Sequence, residues 1–250
     1  MEPYLNDMYG NPSGIYTLSK KSRKIIEETR EKIAGVLNCK GENIIFTSGG
    51  TESDNWVLEN AKQWGNHIVT SKIEHHAVLN KCSELGIKLQ TVLLTHGHFD
   101  HIGAALQIAR AFTIPIYASE TEDGMLADTS LNLTAHFTGH SLSFHADRLV
   151  HDGDELELLG YKWKVIATPG HTAGSVCYYL PEEEVLLSGD TLFQDSYGRT
   201  DLPTGSSRAL VDSVLRKLFI LPGDTMVYPG HGEPTTIGYE AQNNPIACYR

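Results

Sequence analysis

Within six positions, His96-Gly97-His98-Phe99-Asp100-His101, the chain places three imidazoles and a carboxylate. Imidazole nitrogens and carboxylate oxygens are the donors preferred by zinc and similar divalent cations. On a loop that follows a strand, His96 and His98 converge on one cation, while Asp100 and His101, displaced along the same loop, face a second. Three later positions supply further ligands: His171 in Thr168-Pro169-Gly170-His171-Thr172, Asp190 in Leu187-Ser188-Gly189-Asp190-Thr191, and His231 in Pro229-Gly230-His231-Gly232. Each follows a glycine, which lets the backbone turn sharply and project the next side chain into a shared cleft.

Such ligands need a scaffold of strand ends. An apolar run at 89–95 reads as a strand that ends in the histidine loop, followed by a helix at 102–112 and a strand at 114–118. Beyond residue 147 strands dominate, at 148–150, 155–159, 161–168, 175–180 and 184–188. A helix at 207–219 and a last strand at 225–228 complete this part. The earlier chain predicts a helix at 17–37 stopped by Gly41, a strand at 43–47, a glycine turn, and a helix containing Trp56, Val57 and Leu58. A strand at 67–71 and a helix at 76–85 follow. Helices and strands in this order give a layered α/β fold.

Composition narrows the functions. The 250 residues are 40% hydrophobic, enough for a real core, and carry a formal charge of −11. Residues 1–85 hold 10 basic and 11 acidic groups and the remainder 10 and 20, so the acidity accompanies the histidine-rich part. That balance argues against nucleic acid or an anionic membrane as partner. No membrane-length apolar run and no secretion-type leader stand in the sequence, so a cytoplasmic protein is expected. Cys39, Cys82, Cys177 and Cys248 form no Cys-x-x-Cys pair and read as reduced thiols. Glu182-Glu183-Glu184 reads as a solvated turn after Pro181; His136, His140, His145 and His151 read as surface groups; Trp163 and Phe193 read as core. Arg199 has two readings, contact with an anionic substrate or pairing with Asp201.

The order Thr-His-x-His-x-Asp-His, Pro-Gly-His-Thr, Ser-Gly-Asp-Thr-Leu-Phe and Pro-Gly-His-Gly resembles the metallo-β-lactamase fold hydrolases over residues 89–237. The resemblance implies an αββα sandwich and two divalent metal ions, zinc first, with iron or manganese as alternatives. It implies one metal held by His96, His98 and His171, a second by Asp100, His101 and His231, and Asp190 bridging them. Tyr197-Gly198-Arg199-Thr200-Asp201-Leu202-Pro203 resembles the small bacterial glyoxalase II type. The implied activity is attack of a metal-bridging hydroxide on a thiolester or related acyl substrate of small size, with Asp100 orienting the hydroxide and shuttling its proton. Iron-dependent persulfide dioxygenases share Gly-Arg-Thr-Asp but carry Phe-Gln where Leu202-Pro203 stand, which makes them the second reading. Oligomeric state is left open.

The first third resembles a different family. Tyr9-Gly10-Asn11-Pro12-Ser13, Ile45-Phe46-Thr47-Ser48-Gly49-Gly50-Thr51-Glu52-Ser53-Asp54-Asn55 and Ser71-Lys72-Ile73-Glu74-His75-His76-Ala77-Val78 are similar to the start of a pyridoxal-phosphate-dependent cysteine desulfurase. That resemblance implies a vestigial cofactor cradle, with Gly50 and Thr51 against the phosphate and His75 stacked on the ring. The Schiff-base lysine is missing: Ser143-Phe144-His145-Ala146 ends in alanine. Cys82 reads as a small buried apolar group. The expected division is therefore a desulfurase-like fragment, 1–82, and a hydrolase domain, 83–250, that lacks the usual first strands of its sandwich. A sheet edge is then exposed unless residues 43–71 substitute. A hybrid chain that keeps the ligands without catalysis is the third reading.

Overall fold

A computed structural model describes residues 10–61, 81 and 89–249. It divides into two compact units, Met1–Asn60 and Ala61–Arg250. The expected strand at 67–71, the helix at 76–85 apart from Lys81, His75 and Cys82 lie outside the described residues.

In the larger unit, β1 (Val92–Leu93), β2 (Ile116–Ser119) and β3 (Arg148–Val150) form a parallel sheet in that order. A second sheet contains β4 (Glu155–Leu158), β5 (Tyr161–Ala167), β6 (Val176–Leu180) and β7 (Val185–Gly189) as an antiparallel meander. A short ribbon of β8 (Leu192–Phe193) and β9 (Ser196–Tyr197) follows. Then β10 (Met226–Pro229) adds parallel to β7, and β11 (Thr235–Thr236) closes the edge of the second sheet.

Period-two alternation distributes side chains between layers. From the first sheet Leu93, Tyr117 and Val150 meet Trp163, Val165, Val176, Tyr178 and Leu180 of the second, and these form the core between sheets. The opposite face of the first sheet presents Val92, Leu94, Ile116 and Ala118 to Ile102, Ala105, Ile108, Ala109 and Leu126 of the helical layer. The outer face of the second sheet presents Cys177, Tyr179, Leu186 and Val227 to Leu210, Val214, Leu218 and Ile237. Helix, sheet, sheet, helix is the resulting order. β6 is central, and all five of its residues are buried. At the edge, β4 pairs Glu155 with Lys164 and Glu157 with Lys162, opposite charges that suit an exposed face.

The expected elements needed several corrections. The 89–95 strand shortens to a two-residue ladder at Val92–Leu93, and the 102–112 helix becomes Phe99–Ile102 and Ala105–Phe112. The helix of 207–219 is α-helical at Ser207–Ser213 and continues as a π-helical turn, Val214–Leu218. Strand 225–228 is not the last: β11 and the helix Ile237–Asn243 come after it. Trp163 is core, whereas Phe193 is half-buried. His136, His140, His145 and His151 are exposed, and Pro181–Glu183 is a 3₁₀ turn closed by Glu184 in the left-handed region.

In the smaller unit the helix Thr17–Val36 ends before Gly41, because Asn38 already adopts a left-handed conformation, φ 51°. Residues 44–47 form no strand. An isolated extended run needs a ladder partner, and none is present among the described residues. No strand at 43–61 therefore replaces the missing ones, and β1 pairs on one side alone among the described residues. The helix Gly50–Ala61 forms as expected. This unit buries little: Ile15, Val36, Leu37, Ile45 and Val57 are each more than half exposed.

Two hydrogen bonds tie the sheets together beside the histidine loop. The Val176 N–H donates to Thr95 O at 2.9 Å, and the buried Tyr178 hydroxyl donates to Leu94 O at 2.9 Å. Tyr178→Phe should leave that buried carbonyl one donor short and cost about 1–2 kcal/mol, measured by urea unfolding. A cost indistinguishable from zero would remove this bond from the list of inter-sheet ties.

Candidate metal centre

His96 and His98 leave the chain just beyond β1, where its loop turns into the helix Phe99–Ile102 that carries Asp100 and His101. His171 follows β5, Asp190 follows β7, and His231 follows β10. Since β10 runs parallel to β7, their carboxyl-terminal ends lie side by side, and the Thr95 to Val176 hydrogen bond brings β1 to the same end.

Glycine makes the approach possible at two of these turns. Gly170 has φ +150°, and a Cβ there would overlap the Leu210 backbone. A Cβ at Gly230 would overlap Asp190 Oδ1 and stand 2.8 Å from His101 Cε1.

The seven side chains meet in three overlapping groups, His96–His98–His171, His96–His101–Asp190 and Asp100–His101–His231, with donor atoms within 4.8 Å of one another in each. His98 Nδ1 and His171 Nε2 are 2.8 Å apart. His171 Nδ1 donates to the Arg199 carbonyl at 2.7 Å, which fixes the tautomer and turns the Nε2 lone pair inward. Asp190 reaches both sides: Oδ1 is 3.2 Å from His101 Nε2, and Oδ2 is 3.6 Å from His171 Nε2 and 3.5 Å from His231 Nε2. Asp100 Oδ2 lies 3.2 Å from His231 Nε2.

Electrostatics favour a cation. Burial, with His171 alongside, pushes the His98 pKa down to about 4, and burial also lowers His171. Both are therefore neutral near pH 7, the form that donates a lone pair. For Asp190, burial raises the pKa, but His101, His171 and His231 outweigh it and keep the carboxylate below its ordinary value. Asp190 Oδ1 and His101 Nε2 are buried without a hydrogen bond of good geometry, and a divalent ion would satisfy both. The donor set therefore fits a pair of cations.

Several supporting residues were not evident from the sequence. Glu122, 2% exposed, accepts from Gly97 N–H at 2.7 Å and from Thr172 Oγ1 at 2.9 Å. Burial raises its pKa, against the lowering effect of Gly97, Thr172 and Gly174. Glu240, fully buried, accepts from Thr235 Oγ1 and Asn244 Nδ2 and from the Asp195 amide in the β8–β9 turn. The one available signal for Glu122 was Ser119-x-x-Glu122, a capping pattern. Ser119 does cap Glu122 N–H, but the Glu122 side chain turns to the ligand loops instead of back to its own helix. Arg199 pairs bidentately with Asp201, both bonds 2.7 Å, as the second of its two readings expects.

The desulfurase-like cradle lies in the smaller unit. Gly50 and Thr51 are exposed at a helix start, and the Glu52 carboxylate accepts the Ser48 amide at 2.6 Å. A negative side chain on that donor disfavours a phosphate, and with the lysine missing these residues do not fit pyridoxal phosphate.

Layered sheets with histidines and aspartates gathered at their shared end define a metallo-hydrolase architecture. The chain belongs to the metallo-beta-lactamase superfamily, whose model matches residues 66–231. The aminotransferase class-V model matches residues 1–130, so the two overlap at 66–130. Similar proteins include the probable metallo-hydrolase YqgX of Bacillus subtilis, 39% identical over 69% of this chain and 82% of its own length. Hydroxyacylglutathione hydrolase GloC of Haemophilus influenzae is 36% identical over the same shares. Among solved structures, BLEG-1 B3 metallo-beta-lactamase superposes with a TM-score of 0.65 at 41% identity, covering 68% of this chain and 82% of that one. TTHA1623 in a di-iron-bound form gives 0.60 at 36% identity, covering 69% and 84%. Among the described residues no helix is long and apolar enough to cross a membrane.

Replacing Gly170 by alanine should force Leu210 and the His171 turn apart and destabilise the protein by at least about 2 kcal/mol. Thermal unfolding checks this. An unchanged midpoint would mean that the turn relaxes without strain.

Proposed function

We propose that the chain is a binuclear metal-dependent hydrolase of small thiolester or related acyl substrates, with catalysis in residues 83–250 and the desulfurase-like 1–82 as an appended segment. His96, His98 and His171 would hold one cation, Asp100, His101 and His231 the other, and Asp190 would span them. The observation that carries this reading is Asp190, whose two oxygens face ligands of both groups at 3.2–3.6 Å. Zinc is the first candidate metal, since imidazole and carboxylate suit it; the di-iron form of TTHA1623 keeps iron in contention.

Two bound cations supply activated water at neutral pH and a positive field for the charge that develops on the attacked carbonyl. Asp100 is one third exposed on its side chain and orients the incoming water with Oδ2, which also contacts His231. A carboxylate there accepts the proton that water loses and passes it on, whereas an amide cannot. Asp190 holds His101 and His171 in register. Thiolesters suit this site because a thiolate departs without strong acid assistance, and GloC is named for hydrolysis of such a compound.

In purified, metal-loaded protein, Asp100→Asn and His98→Ala should each lower the turnover of S-lactoylglutathione by about 10²–10⁴-fold. Circular dichroism should show both variants folded. Turnover equal to the parent would refute the assignment of Asp100. Oxygen uptake with a glutathione persulfide, in place of thiolester hydrolysis, would shift the activity to the dioxygenase class.

A further inference from the structure

Glu122 is a buried carboxylate outside the seven-residue ligand set, and its bonds are unevenly directed. Oε1 accepts from the amide of Gly97, which lies between His96 and His98. Oε2 accepts from the hydroxyl of Thr172, the residue after His171. Thr172 Oγ1 is also 2.7 Å from Ser175 Oγ, and Ser119 Oγ donates to Gly174 O at 2.6 Å while accepting from Glu122 N–H. A side chain at Gly174 would overlap Glu122, so that turn closes directly over the carboxylate. The first turn of the helix Glu120–Ala127 thus fastens the β1 loop to the β5 loop. Both loops carry the three-imidazole group. Asp100 and His101 stand on the helix Phe99–Ile102 and His231 beyond β10; the hydrogen bonds of Glu122 reach none of the three.

We propose that Glu122 is a positioning residue for the three-imidazole half of the centre, holding His96, His98 and His171 at the spacing that one divalent cation requires. This rests on the metal reading above. An ionised acceptor suits the role because its bonds to N–H and O–H donors are charge-assisted and stiff. In Glu122→Gln one oxygen becomes an NH₂ donor, which cannot accept from Thr172 and loosens one loop against the other.

The test measures zinc dissociation constants by chelator competition in two backgrounds of the full chain. His231→Ala keeps the three-imidazole group, and His98→Ala keeps the Asp100–His101–His231 group. Glu122→Gln is expected to weaken zinc binding about 10–100-fold in the first background. In the second background it is expected to leave affinity unchanged. Thr172→Val, which removes the hydroxyl's bond to Oε2 together with its contact to Ser175 but keeps the Gly97 bond to Oε1, should show the same preference to a smaller degree and serves if Glu122→Gln does not fold. Equal losses in both backgrounds would make Glu122 a general scaffold residue, and unchanged affinity in the first background would dismiss it; either overturns the proposal. If the unsubstituted chain binds no zinc or iron, the metal reading itself fails and takes this proposal with it.

Discussion

A carboxylate taken out of water must be compensated, and Asp190 sets this constraint for the whole larger unit. Its side chain is about one tenth exposed, and three imidazoles face it. Two of the described surroundings exist because of that crowding: Gly230 has no side chain because Asp190 Oδ1 occupies the space, and Gly198 is bare because the Asp190 carbonyl does. A buried charge needs a partner, and a divalent cation beside the carboxylate would supply it. The ionised Asp190 and the neutral His98 and His171 together make an arrangement that rewards cation binding before any substrate arrives.

The sheets serve this arrangement. Strands donate their carboxyl-terminal ends to a common edge, and the tie from Thr95 to Val176 holds the two sheets in register there. Below the ligands lies a layer of buried polar groups, Glu122, Thr172, Ser175, Thr168 and Thr191, whose mutual bonds leave few degrees of freedom to the loops above. Ligand geometry is thus a property of the strand ends and this polar floor together.

Much of this was legible in the sequence. Lys162 and Lys164 alternating with Trp163 and Val165 announced β5, and the strand comes out within one residue of its expected end. The proposed ligand residues stood out as the dense His96–His101 cluster and as His171, Asp190 and His231 after glycines at strand ends. What escaped notice has physical reasons. β11 is two residues long and has no period to read. The run 43–47 has strand-like residues but no partner among the described residues, and pairing, unlike propensity, is not written locally. Glu122 looked like an ordinary capping glutamate, since only the fold brings residue 97 and residue 172 to its two oxygens.

The smaller unit contrasts with this economy. Its helix Thr17–Val36 buries only Ser19 and Ala34, and large apolar side chains remain in water. The proposed pair of cations belongs to the larger unit. Anomalous diffraction from crystals of the metal-loaded protein tests it most directly: two peaks are expected, one among His96, His98 and His171, the other among Asp100, His101 and His231, with Asp190 between. A single peak, or metal bound away from these side chains, would contradict it.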